Sequence, residues 1–252
     1  MRRTAAILRG LGLVVWTYGL MAAMGLVLAP VAALGPRAWT RAFVRLYVRL
    51  VLVGARLICG LRTEIRGTPP RGPALIAAKH QSFLDILMLI SALERPRFVM
   101  KRSLLWAPVL GFYARRIGCV AIDRSRGREA MAAMLAAQAT ETEADGQLVI
   151  YPQGTRVAPG ARVSWKWGVA GLYEAAGGPC TPVATNAGAF WPRKGVARWP
   201  GTAVLEFLPE IEPGLDAPAF MARLEREVET ASDALLAEAL RARDQDAPTA
   251  RG

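Results

Sequence analysis

Histidine is nearly absent: the chain holds one imidazole, His80, in 252 residues. Cysteine is scarce, and Cys59, Cys119 and Cys180 lie far apart. No CxxC and no Cys/His ligand spacing occurs, which argues against a zinc site or other metal centre. An odd, unclustered cysteine count fits buried thiols in a reducing compartment. No GxSxG occurs, so nothing marks a covalent serine intermediate. Acidic residues number 20 against 32 Lys and Arg, a net charge of +12. Basic surfaces meet nucleic acid, anionic membrane or a small acidic substrate. No nucleic-acid-binding module appears, and a hydrophobic share of 53% turns the choice from nucleic acid to membrane.

What the chain has in quantity is apolar sequence near its N-terminus. Residues 11–34 carry no charge, and about 20 such residues cross a hydrocarbon core. A signal peptide is the other reading, but the run exceeds an h-region and a second lipid-like segment follows it. That segment, RAWTRAFVRLYVRLVLVGARLICG, begins after a break marked by Pro30, Gly35 and Pro36. Arg37, Arg41, Arg45 and Arg49 recur every four residues in it. On a helix they form a basic stripe beside an apolar face, suited to the plane of an anionic membrane or to packing on the domain. Arg2, Arg3 and Arg9 precede the apolar run and Arg37 and Arg41 follow it, so charge gives no orientation. A spanning helix and a half-embedded hairpin both stay open.

Beyond residue 60 the texture changes. LRTEIRG, PALIAAKH, RFVMKR, CVAIDR, GQLVIYPQG, PCTPVATNAG and TAVLEFLPEI read as strands, several running into turns. SFLDILMLISAL, SLLWAPVLGFYARRIG (broken at Pro108), GREAMAAMLAAQATETEA and PAFMARLEREVETASDALLAEALRAR read as helices. The alternation predicts an α/β domain with a mixed, largely parallel sheet flanked by helices. Sites in such sheets gather at strand ends and the loops beyond them.

His80 ends a strand-like run, and Asp85 sits five residues on, in the helix that follows. The carboxylate can hold one ring nitrogen, fix the tautomer and stabilise an imidazolium. The other nitrogen is then free to take a proton from a hydroxyl. Without a nucleophile motif, that hydroxyl belongs to the substrate and the transfer is direct. A structural histidine capping a strand end is the alternative. YPQGTR, residues 151–156, follows another strand: a Pro-x-Gly turn with a hydroxyl and an arginine can cradle an anion. Asp123 and Arg124 close a third strand, and Lys101 a fourth.

These segments together resemble the glycerolipid acyltransferases, in particular the lysophosphatidate acyltransferase family. KHQSFLD is similar to its NHxSxxD motif, GCVAIDR to its second block, YPQGTR to FPEGTR, and CTPVA to the fourth block. They occur in the family's order between residue 79 and about residue 184.

The resemblance implies acyl transfer from an acyl thioester, acyl-CoA or acyl-carrier protein, to the sn-2 hydroxyl of 1-acylglycerol 3-phosphate, giving phosphatidate. His80 is then the general base and Asp85 its partner. Arg124, Gln153, Gly154, Thr155 and Arg156, with Lys101, bind the acceptor's phosphate. No cofactor and no metal is implied. The partners are lysophospholipid, acyl donor and membrane, not nucleic acid. The place implied is the cytoplasmic face of the inner membrane. Residues 1–62 read as membrane-anchoring helices, 63–243 as the acyltransferase domain and 244–252 as a disordered tail. The same chemistry on lyso-ornithine lipid, or less fittingly on glycerol 3-phosphate, is the first alternative. A lipid-binding or scaffold protein without catalysis is the second. Two residues depart from the family pattern. Lys79 replaces an asparagine, and a neighbouring cation favours a neutral imidazole. Gln153 replaces a glutamate, keeping its length and an acceptor oxygen but losing its charge.

Overall fold

A computed structural model describes residues 2–123, 127–139 and 146–245. Among these, seven strands form one sheet in the order β1-β7-β6-β2-β5-β3-β4. The strands are β1 (Leu61–Arg66), β2 (Ala74–Ala78), β3 (Pro96–Lys101), β4 (Val120–Ile122), β5 (Gln147–Ile150), β6 (Cys180–Thr185) and β7 (Gly201–Phe207). β6, β2, β5, β3 and β4 run parallel. β7 lies antiparallel to β6, and edge strand β1 runs parallel to β7. The largely parallel sheet expected from sequence is therefore present, with a reversed pair at one edge.

The N-terminal segment is a helical hairpin. α1 (Arg2–Val27) and α3 (Arg37–Cys59) pack together, joined through a short α2 (Ala29–Leu34) with a proline in its first turn. A proline there costs little, because no intrahelical partner awaits its missing N–H. The break expected at Pro30 is thus a short helix. The Trp16 indole donates to the Leu50 carbonyl at 2.9 Å and lies over Gly54, where any side chain would collide with it. Residues 3–27 form a helix long and apolar enough to cross a membrane, and only 22% of its most apolar window is buried against protein. Leu8, Val15, Tyr18, Leu26 and Leu34 stand exposed. The arginine stripe of α3 is partly committed to protein: Arg45 donates to the carbonyls of Leu93 and Glu94, which follow α4 (Leu84–Ala92).

α3 ends at Gly60, whose φ of +67° stops the helix in a left-handed turn that suits glycine, and β1 follows at once. Leu13, Val48, Val51, Ala55 and Cys59 of the hairpin share one core with Ile76, Ala78, Val149 and α4 (Leu84–Ala92). On the other side of the sheet, Leu75, Ala77, Leu148 and Ile150 pack against α6 (Gly127–Ala139), α7 (Gly168–Ala176) and α8 (Ala217–Gln245). Side chains alternate along β2 because a strand's period is two. α5 (Pro108–Arg116) starts at the expected proline, after a 3-10 turn at Arg102–Trp106. α7 was not anticipated from sequence. The alanine-rich helix α6 is described to Ala139, its expected continuation lying outside the described residues. Most of the expected tail, residues 246–252, also lies outside them. The cysteines are free, with Cys59 and Cys180 buried.

Candidate active site

The parallel strands β2, β5, β3 and β4 are neighbours and end on the same edge, so the sequence segments that follow them converge there. His80 leaves β2, residues 151–156 leave β5, and Lys101 closes β3. Asp123 follows β4. Arg124 lies outside the described residues.

His80 Nδ1 lies 3.0 Å from Asp85 Oδ1. Asp85 sits in the first turn of α4 and is wholly buried. Its Oδ2 accepts the backbone N–H groups of Gln81 at 2.8 Å and Ser82 at 2.7 Å. The Tyr151 hydroxyl donates to Oδ1 at 3.4 Å. With donors on both oxygens, Asp85 works as an acceptor and assigns the proton of His80 to Nδ1. Nε2 is left without a protein partner among the described residues. Ser82 steadies the turn: its Oγ accepts from Leu84 N–H at 3.0 Å and donates to the Trp191 carbonyl at 2.6 Å.

The imidazole stacks on Tyr151, with centroids 4.0 Å apart and planes inclined by 20°. Burial pushes the Tyr151 phenol well above its ordinary range, with the Asp85 charge and hydrogen bond adding. It therefore stays protonated as a donor. Backbone bonds tie the two loops: Val157 N–H donates to the His80 carbonyl at 2.8 Å. His80 N–H donates to Gln153 Oε1 at 3.4 Å.

A cavity of about 540 Å³ opens at His80. Lys101, Gly154, Thr155, Arg156 and Arg193 line its mouth, and Lys101, Thr155 and Arg193 face solvent. Inward it is walled by Met24 of α1, Tyr47 of α3, Ile86 of α4 and Ala114 of α5, among others. No Asp or Glu lines it among the described residues. A cationic mouth over an apolar interior suits an amphiphile with an anionic head.

The expected site residues do not all stand on this wall. His80, Lys101, Gly154, Thr155 and Arg156 do. Gly154 serves chiefly by shape, since its φ is +68° and its N–H is bonded to the Tyr151 carbonyl at 2.9 Å. Gln153 is buried, and its amide is turned to Glu229 of α8 and the His80 backbone, not to the cavity. Lys79 is 1% exposed, and its Nζ meets both carboxylate oxygens of Glu229 at 2.5 and 2.6 Å. Residues 79 and 80 face opposite sides of the sheet, Lys79 toward α8 and His80 toward α4. The Lys79 charge is answered by Glu229.

Sequence reasoning missed Tyr151 as the stacking partner, Arg193 at the mouth and Glu229 behind it. Arg193 Nη1 donates to the Arg156 carbonyl at 2.8 Å, a fold-made contact across 37 residues that no motif announces. For Glu229 a signal existed, because a lysine in a buried strand needs an anion.

A family profile described as Acyltransferase matches residues 62–186. The 1-acyl-sn-glycerol-3-phosphate acyltransferase of Pseudomonas aeruginosa is 34% identical over 196 residues, covering 77% of this chain and 76% of that protein. The mouse 1-acyl-sn-glycerol-3-phosphate acyltransferase alpha is 34% identical over 140 residues, 54% of this chain and about half (49%) of its own length. The lyso-ornithine lipid O-acyltransferase of Rhodobacter capsulatus is 34% identical over 123 residues, 48% of this chain and 41% of that protein. The crystal structure of the 1-acyl-sn-glycerophosphate acyltransferase PlsC from Thermotoga maritima superposes with a TM-score of 0.72 at 19% identity. It covers 93% of this chain and 99% of that one, which shows a shared fold. The site's four segments, the profile match and the extended identity to the Pseudomonas enzyme lead to one conclusion: this chain belongs to the 1-acyl-sn-glycerol-3-phosphate acyltransferase family.

Proposed function

We propose that the protein transfers a fatty acyl group from an acyl thioester to the sn-2 hydroxyl of 1-acylglycerol 3-phosphate, giving phosphatidate. The observation that carries this is the continuity of the site: the His80–Asp85 pair, a cationic mouth and an apolar interior open onto one another. His80 Nε2 takes the hydroxyl proton as the oxygen attacks the thioester carbonyl. Asp85 stabilises the imidazolium that forms. The tetrahedral adduct collapses, the C–S bond breaks, and the imidazolium returns its proton to the departing thiolate. CoA or carrier protein can be that thiol.

Thr155, Arg156, Lys101 and Arg193 hold the acceptor's phosphate, Arg156 with its planar fork of donors. Arg124 joins them on the family motif alone. Gln153 acts from behind the loop. Base, cations and thioester together need no cofactor. α1 and the exposed apolar side of the hairpin hold the site at the cytoplasmic face of the inner membrane, where the acceptor resides.

Lyso-ornithine lipid is the competing acceptor. Its head carries an amine beside its carboxylate, and among the described residues no Asp or Glu lines the cavity to meet that amine. Lys101, Arg156 and Arg193 at the mouth favour a phosphate. Membranes carrying the protein would be given equal lysophosphatidate and lyso-ornithine lipid with one labelled acyl donor. Label in phosphatidate is expected. Label chiefly in ornithine lipid would overturn the acceptor assignment.

A further inference from the structure

The described part of the molecule has a second charged cluster, directly behind the site. Glu229, 5% exposed in the middle of α8, receives Lys79 Nζ on both oxygens. Gln153 Nε2 and Trp165 Nε1 each donate to its Oε1 at 3.3 Å. Arg162 Nη1 stands 2.7 Å from its Oε2 and also pairs with Asp233. One carboxylate thus gathers the residue before His80, a residue of the anion loop, and the stretch that continues from that loop. Gln153 carries the connection forward, since its amide nitrogen donates to Glu229 while its oxygen accepts from His80 N–H. Lys166 N–H, next to Trp165, donates to the Pro152 carbonyl at 2.8 Å and closes the loop over the cluster.

We propose that Glu229 is a positioning residue for acyl transfer: it sets the spacing between His80 and the loop bearing Thr155 and Arg156. The proposal rests on the acyl-transfer reading above. Its physical basis is that a buried charge tolerates few arrangements. Lys79 finds its counter-charge only in Glu229 among the described residues, so the strand end cannot shift without stranding an ammonium group. Glu229 itself keeps Arg162 if Lys79 is lost. The dependence is therefore lopsided. Removing the carboxylate disturbs both loops, whereas removing the lysine leaves the carboxylate paired.

The test uses the full chain in membranes, with kcat, acceptor KM and thermal midpoint measured per folded protein. Glu229→Gln is expected to lower kcat by roughly tenfold or more and to raise the KM for lysophosphatidate, within the ~10²-fold that a misplacement of 1 Å can cost. Lys79→Met added to it should return kcat to within about threefold of Lys79→Met alone, because no unpaired ammonium remains. Gln153→Met keeps the ion pair and the fold, so it reads the connection even if Glu229→Gln fails to accumulate. It should lower kcat severalfold while lowering the midpoint only slightly. A Glu229→Gln protein with wild-type kcat and KM and only a lower midpoint would overturn the proposal. So would a Gln153→Met protein of full activity. Wild-type protein without transferase activity would instead defeat the acyl-transfer reading itself.

Discussion

Residues 79 and 80 are neighbours in the chain and lie in opposite worlds. His80 faces the α4 side, against Asp85, Tyr151 and an apolar cavity. Lys79 faces the α8 side, sealed against Glu229. The difference is one of accessibility. The imidazole is held on one nitrogen and open on the other, as a proton acceptor must be. The ammonium is held so completely that it can only fix position. The two-residue alternation of β2, carried just past its end, lets one short segment present an imidazole on one face and anchor itself on the other.

Substitutions on each face break or sharpen this contrast. After the loss of His80 itself, the largest effect is expected from Asp85→Asn. It keeps the shape but presents an N–H where Nδ1–H must be accepted, and kcat should fall by roughly 10³- to 10⁴-fold. Steady-state kinetics on folded protein checks it, and retention of a tenth of wild-type activity would sink the role of Asp85. Next is Leu224→Ala, a fully buried position on α8 away from the site. It should cost about 2–5 kcal/mol of stability while leaving kcat per folded molecule near wild type. A large fall in kcat would mean that α8 packing in general, not the Glu229 cluster, governs the chemistry.

Arg156→Ala should raise the acceptor KM about 10- to 100-fold, the worth of one charge-assisted contact. An unchanged KM would remove Arg156 from the phosphate site. The smallest effect belongs to the exposed Arg66–Glu238 pair, at 2.7 Å. Glu238→Gln should cost no more than about 0.2–1 kcal/mol. The hydrogen bond from Arg66 depresses the Glu238 carboxyl, with its charge and that of Arg241 adding. Its small stabilisation is therefore complete above the ordinary value of 4.5 and is lost as pH falls through the depressed one. Acid titration of the unfolding midpoint, wild type against Glu238→Gln, reads this.

The strands and most helices were legible because their hydrophobic periods are clean. α7 was not, since GVAGLYEAA carries two glycines and forms by burying Val169, Leu172 and Tyr173. The reversal of β1 and β7 was hidden because strand direction is a matter of connection, not of residue pattern. His80, Asp85 and the anion loop were legible because motif residues lie close together in the chain. Their supports were not: Tyr151 stacking, Arg193 and Glu229 depend on segments up to 150 residues apart meeting at one edge. Lys79 and Gln153 looked like two separate departures from the family pattern, yet they touch the same carboxylate.

The central claim is that His80 is the base for direct acyl transfer. The measurement that tests it most directly is single-turnover transfer of labelled acyl from its thioester to lysophosphatidate, wild type against His80→Ala, with matched thermal midpoints. The account predicts a fall of about 10²–10⁴-fold in the transfer rate. His80→Ala protein that transfers acyl at a rate within a few-fold of wild type would contradict it.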